Sequence, residues 1–357
     1  MKTSYFSRQI QLGSKTIAVH LPSYFIAEIG ANFDGNIEKA KRLALAAKEA
    51  GADAAKFQSF LASKIVSDKG FSQMRLQGVH STWGRPVKEV FQDAEFPRAW
   101  HKELYEYCNK IGIAFSSSPY DREAVDLLDD LGVDFIKIGS GDITWHEQLE
   151  YIAKKMKPLI LATGASTLAE IDEALRIIRG AGNTNVILLQ CITNYPSKIE
   201  SANINVLKSY QTAFDGIITG YSDHSPGSVV VLGSVALGGR VFEKHFTLDK
   251  KAAGPDHPHS MEPHEFKKMI DDVRLLEAAM GNSVKNVVEE EAETVIVQRR
   301  SLYAAQDIPS GTLLDLSNIV ELRPALGILP KYKKDVIGKK LKRTLAAGEP
   351  ITWNDIE

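Results

Sequence analysis

From residue 24 onward the chain alternates short apolar runs with longer stretches in which apolar residues recur every third or fourth position. The runs at 24–28, 53–58, 112–116, 134–138, 158–162, 186–191, 216–219 and 240–242 read as buried strands. The stretches at 36–50, 96–111, 122–131, 145–156, 167–179, 204–210, 228–237 and 263–280 read as amphipathic helices. Strict alternation calls for parallel strands joined by helical crossovers. Eight such units in about 280 residues predict a closed (β/α)8 TIM barrel, with a doubly wound open sheet as the alternative. The polar residues favour the barrel. Glu28, Lys56, Ser118, Lys137, Ser140, Thr163, Thr193, Ser222, His224 and His245 all fall at or near strand C-termini. In a barrel those ends converge on one mouth, where such enzymes work.

Residues 6–23 alternate and break at Leu12-Gly13-Ser14, which predicts a hairpin plugging the barrel bottom. The segment 59–95, containing Gly78, His80, Trp83, Gly84 and Arg85, is too long for a simple connection. It is a candidate substrate loop, with a surface insertion as the alternative. After Gly281 the texture changes. An acidic run, Glu289 to Glu293, reads as a solvated linker or helix, and short punctuated strands follow. The expected organisation is a barrel over 1–282, a linker over 283–296 and a small β-rich domain over 297–357.

The chain has 357 residues, 44% hydrophobic and 25% charged, with a formal net charge of −2. That balance argues against broad nucleic-acid binding, which needs a basic face. No apolar run approaches the roughly 20 residues that span a bilayer, and the first residues lack the apolar segment of a secretory signal. The two cysteines, Cys108 and Cys191, have no metal-binding spacing, so a reducing cytoplasm is the expected location.

Two neutral imidazoles at adjacent strand ends, His224 and His245, can hold one divalent cation and leave positions open for water and substrate. Two lysines buried at strand ends, Lys56 and Lys137, need an anion or a carbonyl. Ser140, between Gly139 and Gly141, adds donors suited to oxyanions. One reading is a phosphate and carboxylate site; the other is a Schiff-base aldolase with Lys137 as nucleophile. Glu28 is placed to handle a proton. His257 and His259 read as loop residues rather than ligands, with Asp256 able to reach the mouth.

An ordered set of stretches resembles the N-acetylneuraminate (sialic acid) synthase family. It comprises Ala27-Glu28-Ile29-Gly30-Ala31-Asn32, Lys56-Phe57-Gln58, Ser117-Ser118-Pro119-Tyr120, Lys137-Ile138-Gly139-Ser140-Gly141-Asp142, Ala162-Thr163-Gly164, Tyr195-Pro196, Ser222-Asp223-His224, Glu243-Lys244-His245-Phe246-Thr247 and Gly254-Pro255-Asp256. Arg300-Ser301-Leu302, Asp307-Ile308, Leu322-Arg323-Pro324 and Gly338-Lys339 resemble that family's antifreeze-like (SAF) domain.

The resemblance implies a metal-dependent transferase that condenses phosphoenolpyruvate with N-acetylmannosamine or a related 2-acetamido sugar. The C–O bond breaks and phosphate leaves. It implies His224 and His245 as ligands of Mn²⁺, with Mg²⁺ or Co²⁺ as alternatives. Lys56, Lys137, Ser118, Ser140 and Ser222 are expected to bind phosphoenolpyruvate. Glu28, Gln58, Tyr195 and Asp256 are expected to face the sugar or the reacting carbon, and Asp142, Thr163 and Thr193 to line the substrate pocket. Arg323 is expected to reach the sugar from the partner of a domain-swapped homodimer. Ala162, Asp142 and Gln190 stand where the family often has serine, glutamate and histidine. Legionaminic or pseudaminic acid synthesis and a 6-phosphorylated acceptor are therefore alternatives.

Overall fold

A computed structural model describes residues 5–74, 81 and 83–357. Gly78 and His80 of the expected substrate loop lie outside these residues. The chain divides into two compact units, Met1–Gly281 and Asn282–Glu357.

The first unit is a barrel. Its strands are β3 (Tyr24–Glu28), β4 (Ala54–Ser59), β5 (Ala114–Pro119), β6 (Ile136–Ile138), β7 (Leu159–Ala162), β8 (Val186–Cys191), β9 (Ile218–Asp223) and β10 (Val241–His245). They pair in parallel in the order β5-β4-β3-β10-β9-β8-β7-β6. The two ends of that order meet where Ser116 Oγ donates to the carbonyl of Phe135, just ahead of β6, at 3.0 Å. Between successive strands lie the expected helices, among them Ile37–Glu49, His101–Ile111, Arg122–Leu131 and Leu168–Gly180.

Local signals set their ends. Asp121 caps its helix by accepting from Ala124 N at 2.9 Å. Thr167 and Glu170 form a reciprocal capping box. Gly112 ends its helix at φ +74°, a conformation that a Cβ disfavours. The helix expected at 204–210 runs instead over Val206–Ala213, because Asn203 turns into the left-handed region at φ +47° just before it.

Two cores hold the barrel. The larger fills the space between strands and helices with residues such as Phe25, Phe57, Leu104, Leu128 and Phe242. Each such side chain contributes roughly 1.5–3 kcal/mol on burial. The smaller lies inside the barrel. There Ile10, Leu12 and Ile17 from the antiparallel hairpin β1 (Gln9–Leu12) and β2 (Lys15–Ala18) pack on Tyr24, Ile26, Ile160, Ile187, Ile218 and Val241. Several of these begin strands, so the hairpin plugs the N-terminal end and leaves the opposite mouth open.

The segment after β4 contains short helices, Ala62–Ile65, Asp68–Ser72 and Val87–Asp93. In the second unit β11 (Ser301–Ala304) and β12 (Ile319–Leu322) pair antiparallel over a core that includes Leu302, Ile308, Val336, Leu345 and Ile351. The acidic run forms a 3-10 turn, Glu289–Glu291, followed by helix Ala292–Gln298. No helix among the described residues is long and apolar enough to cross a membrane.

Candidate active site

Strand alternation builds the mouth. Successive side chains on a strand point to opposite faces, so residues two apart share one. Lys56 and Gln58, Ser222 and His224, and Glu243 and His245 are such pairs, and all six line one inner cavity of about 130 Å³ with Glu28, Ser118, Lys137 and Ser140. Parallel register brings them level: His245 pairs with Glu28, Glu28 with Lys56, and Gln58 with Ser118. Gly220 permits the approach of β9 to β10, because a Cβ there would lie 1.8 Å from the carbonyl oxygen of Val241.

Four charges share the cavity floor. Lys56 Nζ lies 2.6 Å from Glu28 Oε2 and 3.8 Å from Glu243 Oε1; Lys137 Nζ lies 3.0 Å from Glu243 Oε1. Ser118 Oγ accepts from Lys56 Nζ at 3.2 Å, and Ser222 Oγ donates to Glu243 Oε1 at 3.2 Å. Burial raises the proton affinity of both carboxylates, but Glu243 sits between two lysines and is held below the usual carboxylate range. For Glu28, burial outweighs Lys56, and the nearby Glu243 adds to it, so its carboxyl is pushed up to about 7. Burial opposes the charge on Lys56, yet Glu243 and Glu28 hold it above its ordinary value. Glu28 Oε1 accepts from Gln58 Nε2 at 2.6 Å.

The histidines differ in their partners. His224 Nδ1 donates to the carbonyl of Ile192 at 2.7 Å, which fixes its tautomer and leaves the Nε2 lone pair available. His245 Nδ1 and His259 Nε2 are buried without a hydrogen-bond partner. Each lies 3.8 Å from a carboxylate oxygen of Asp256. Burial pushes His224 down to about 4 and lowers His245 and His259 as well, so all three rings are neutral near pH 7. The Tyr195 ring packs on His224 and His259 with centroids 4.2 and 5.3 Å apart. Neutral imidazoles with buried, unpaired nitrogens beside a carboxylate suit a divalent cation. His245, Asp256 and His259 bring ligand atoms within 4.8 Å of one another, and the His224 ring lies 5.4 Å from that of His245. His257 is different: it bonds Thr247 Oγ1 at 2.6 Å and Asp34 Oδ1 at 3.0 Å.

Thr193 and Tyr195 also line the inner cavity. An adjoining outer cavity of about 270 Å³ shares Gln58, Tyr195 and His245 and adds Asp256. Two expected residues of the barrel, Thr163 and Asp142, do not line either cavity. Thr163 Oγ1 bonds the carbonyl of Leu189 and the hydroxyl of Tyr210, both at 2.9 Å, so it faces the helical layer. Asp142 is half-buried beyond Ser140, its carboxyl pushed up to about 6 by burial. Arg323 is an exposed residue of the second unit, directly after β12. Sequence reasoning left out Glu243 as a site residue, although its two-residue spacing from His245 places it inward.

Two lysines, two glutamates and two histidines thus gather at the C-terminal mouth of a (β/α)8 barrel, the end where enzymes of this fold carry their active sites. The model of the NeuB family matches residues 43–285 and that of the SAF domain residues 299–357, so the chain belongs to the NeuB family. It is 40% identical to the N,N'-diacetyllegionaminic acid synthase of Campylobacter jejuni, over 88% of this chain and 94% of that one. It is 36% identical to the N-acetylneuraminate-9-phosphate synthase of Mus musculus, over 94% and 93%. The crystal structure of N-acetylneuraminic acid synthetase from Leptospira borgpetersenii, in complex with citrate, superimposes with a TM-score of 0.72 at 29% identity. That match covers 81% of this chain and 96% of that one.

Proposed function

We propose that this chain is a nonulosonic acid synthase that condenses phosphoenolpyruvate with a 2-acetamido sugar. The observation that carries the reading is the floor of the inner cavity, where Lys56 and Lys137 converge beside Ser118, Ser140 and Ser222. Two cations and three hydroxyls suit a ligand that carries both a phosphate and a carboxylate. The outer cavity, reached past Gln58 and Tyr195, takes the sugar. The relatives named for sugar acid synthesis support the same class.

In this reaction carbon 3 of phosphoenolpyruvate bonds to the aldehyde carbon of the sugar. Water adds at carbon 2, and the C–O bond to phosphate breaks. The oxygen of that water stays on carbon 2 as the carbonyl oxygen of a 2-keto acid; one of its protons ends on the former aldehyde oxygen and the other leaves with the phosphate. Glu28 is the group we assign to move the first. It touches Lys56 at the phosphoenolpyruvate side and Gln58 at the sugar side, and its affinity for a proton is tuned near neutrality. Lys56 and Lys137 orient the anion and stabilise the departing phosphate. His224 and His245 would hold the divalent cation, Mn²⁺ first, with His259 and Asp256 beside them. Such an ion, when bound, polarises a carbonyl as a Lewis acid. Asp256 also anchors the β3 loop by accepting from Ala31 N at 2.9 Å. In a domain-swapped homodimer, the partner subunit's Arg323 would reach the acceptor sugar.

The test is phosphate release from phosphoenolpyruvate with Mn²⁺ and a series of 2-acetamido sugars. The expected result is release that requires both substrates. A Schiff-base aldolase would instead give a borohydride-trapped pyruvate adduct on Lys137 and no phosphate.

A further inference from the structure

The segment 248–260 brings Asp256 and His259 to the mouth, and it is closed at its base. Thr247 N donates to the carbonyl of Met261 at 3.0 Å, and Met261 N to that of His245 at 2.8 Å. Within the segment lies the 3-10 turn His257–His259. Asp256 and His259 line the outer cavity, but His257, between them in the chain, lines neither cavity. Its ring is fully buried and bridges two loops instead. Nδ1 bonds Thr247 Oγ1 at 2.6 Å, at the base of the segment. Nε2 bonds Asp34 Oδ1 at 3.0 Å, in the loop between β3 and helix Ile37–Glu49. A carboxylate only accepts, so the hydrogen on Nε2 goes to Asp34. Gly254 lies against the same ring: a Cβ there would come within 2.8 Å of His257 Cδ2.

A turn tied only at its base would leave both flanking side chains free to swing. A buried imidazole left unpaired is costly, so the turn is held at the pitch that satisfies both ring nitrogens. At that pitch Asp256 Oδ2 accepts from Ala31 N at 2.9 Å and lies 3.8 Å from His245 Nδ1, and Asp256 Oδ1 lies 3.8 Å from His259 Nε2. Asn32 Nδ2 adds a tie from the same β3 loop by donating to Ser260 Oγ at 2.9 Å.

We propose that His257 is a positioning residue. Through Asp34 it pegs the segment 248–260 to the loop after β3, and so sets where Asp256 and His259 stand at the mouth. Lys56 and Lys137 are held by Glu28 and Glu243 instead, on strands that the peg does not touch. Loss of the peg is therefore felt on the sugar side of the site and not on the phosphoenolpyruvate side. That consequence for turnover rests on the synthase reading above; the peg itself does not.

Asp34 is an exposed residue, so Asp34→Ala removes one end of the peg without opening the core, and His257→Ala removes the peg itself. Hydrogen exchange read by mass spectrometry reports on the segment directly. Both variants should exchange the amides of 248–260 about tenfold faster, with the plugging hairpin at 9–18 unchanged. Turnover is measured with Mn²⁺ and whichever of N-acetylmannosamine, its 6-phosphate and 2,4-diacetamido-2,4,6-trideoxymannose drives phosphate release. Each variant should raise the KM of that sugar about tenfold and leave the KM of phosphoenolpyruvate unchanged. Because both substitutions break one bond, the double variant should be no worse than His257→Ala. His257→Gln, whose amide still donates to Asp34, should recover part of the loss. Unchanged exchange in 248–260, an equal rise in both KM values, or additive losses would overturn the proposal. If His257→Ala does not fold, Asp34→Ala decides. Faster exchange of the segment in Asp34→Ala, with no phosphate release by the unaltered protein, would sink the synthase reading and leave the peg standing.

Discussion

Which buried group at the mouth changes its charge is settled by Glu243. Lying 3.0 Å from Lys137 and 3.8 Å from Lys56, it stays a carboxylate and leaves Glu28 as the one that takes a proton near pH 7. The role assigned to Glu28 begins from its carboxylate form. Turnover should therefore be low below about pH 7, rise through it and level off above it. The hydrogen bond from Gln58 favours that carboxylate and lowers the affinity for the proton. Gln58→Ala should accordingly move the rising limb to higher pH, as read from kcat against pH at saturating substrates. A limb that stays or moves down would remove Glu28 from the role. The histidines make a second prediction. His224→Ala should weaken Mn²⁺ binding, measured by titration calorimetry, by about 100-fold or more, and His259→Ala by about tenfold. The reverse ranking would seat the ion among His245, Asp256 and His259.

Behind β9 and β10, the outward residues form a clamp. Lys244 Nζ reaches Asp223 Oδ2 at 2.7 Å and the carbonyls of Ser225 and Gly227 at 2.7 and 2.9 Å. Asp223 in turn holds Ser225 through its amide and hydroxyl. The ends of β9 and β10 are thereby tied where His224 and His245 emerge. Lys244→Met would leave Asp223 buried and unpaired, at a cost of about 3–5 kcal/mol in denaturant unfolding, and Asp223→Asn on top of it should recover part of that. Additive losses would contradict the pairing. At this scale the sequence was legible wherever period and spacing carry the information. The eight strand–helix units, the plugging hairpin and the lysines and histidines at strand ends all follow from local pattern. Three features did not. His257 and His259 look alike on the chain, yet His257 bonds Thr247 and the distant Asp34 whereas His259 faces the nearby Asp256. Thr163 ends a strand as the site residues do, yet it turns outward to Tyr210. Phe60 and Phe91 are far apart in the sequence, so no local pattern announces that their rings meet.

For the molecule as a whole, the barrel divides labour between its ends. An apolar plug closes the N-terminal end, and the C-terminal end carries the charge cluster, so functional substitutions at the mouth can be separated from the packing that holds the fold. Ile17→Ala in the plug should cost about 2–4 kcal/mol in denaturant unfolding and leave the KM of phosphoenolpyruvate unchanged. A changed KM would couple the two ends. The proposed reaction joins phosphoenolpyruvate to a sugar at this mouth, with rupture of the bond between carbon 2 and the bridging oxygen. Phosphoenolpyruvate carrying ¹⁸O at that bridging position tests it most directly, by mass spectrometry of the phosphate released with sugar and Mn²⁺. The prediction is sugar-dependent release with the label in the phosphate. Unlabelled phosphate, or release that needs no sugar, would contradict it.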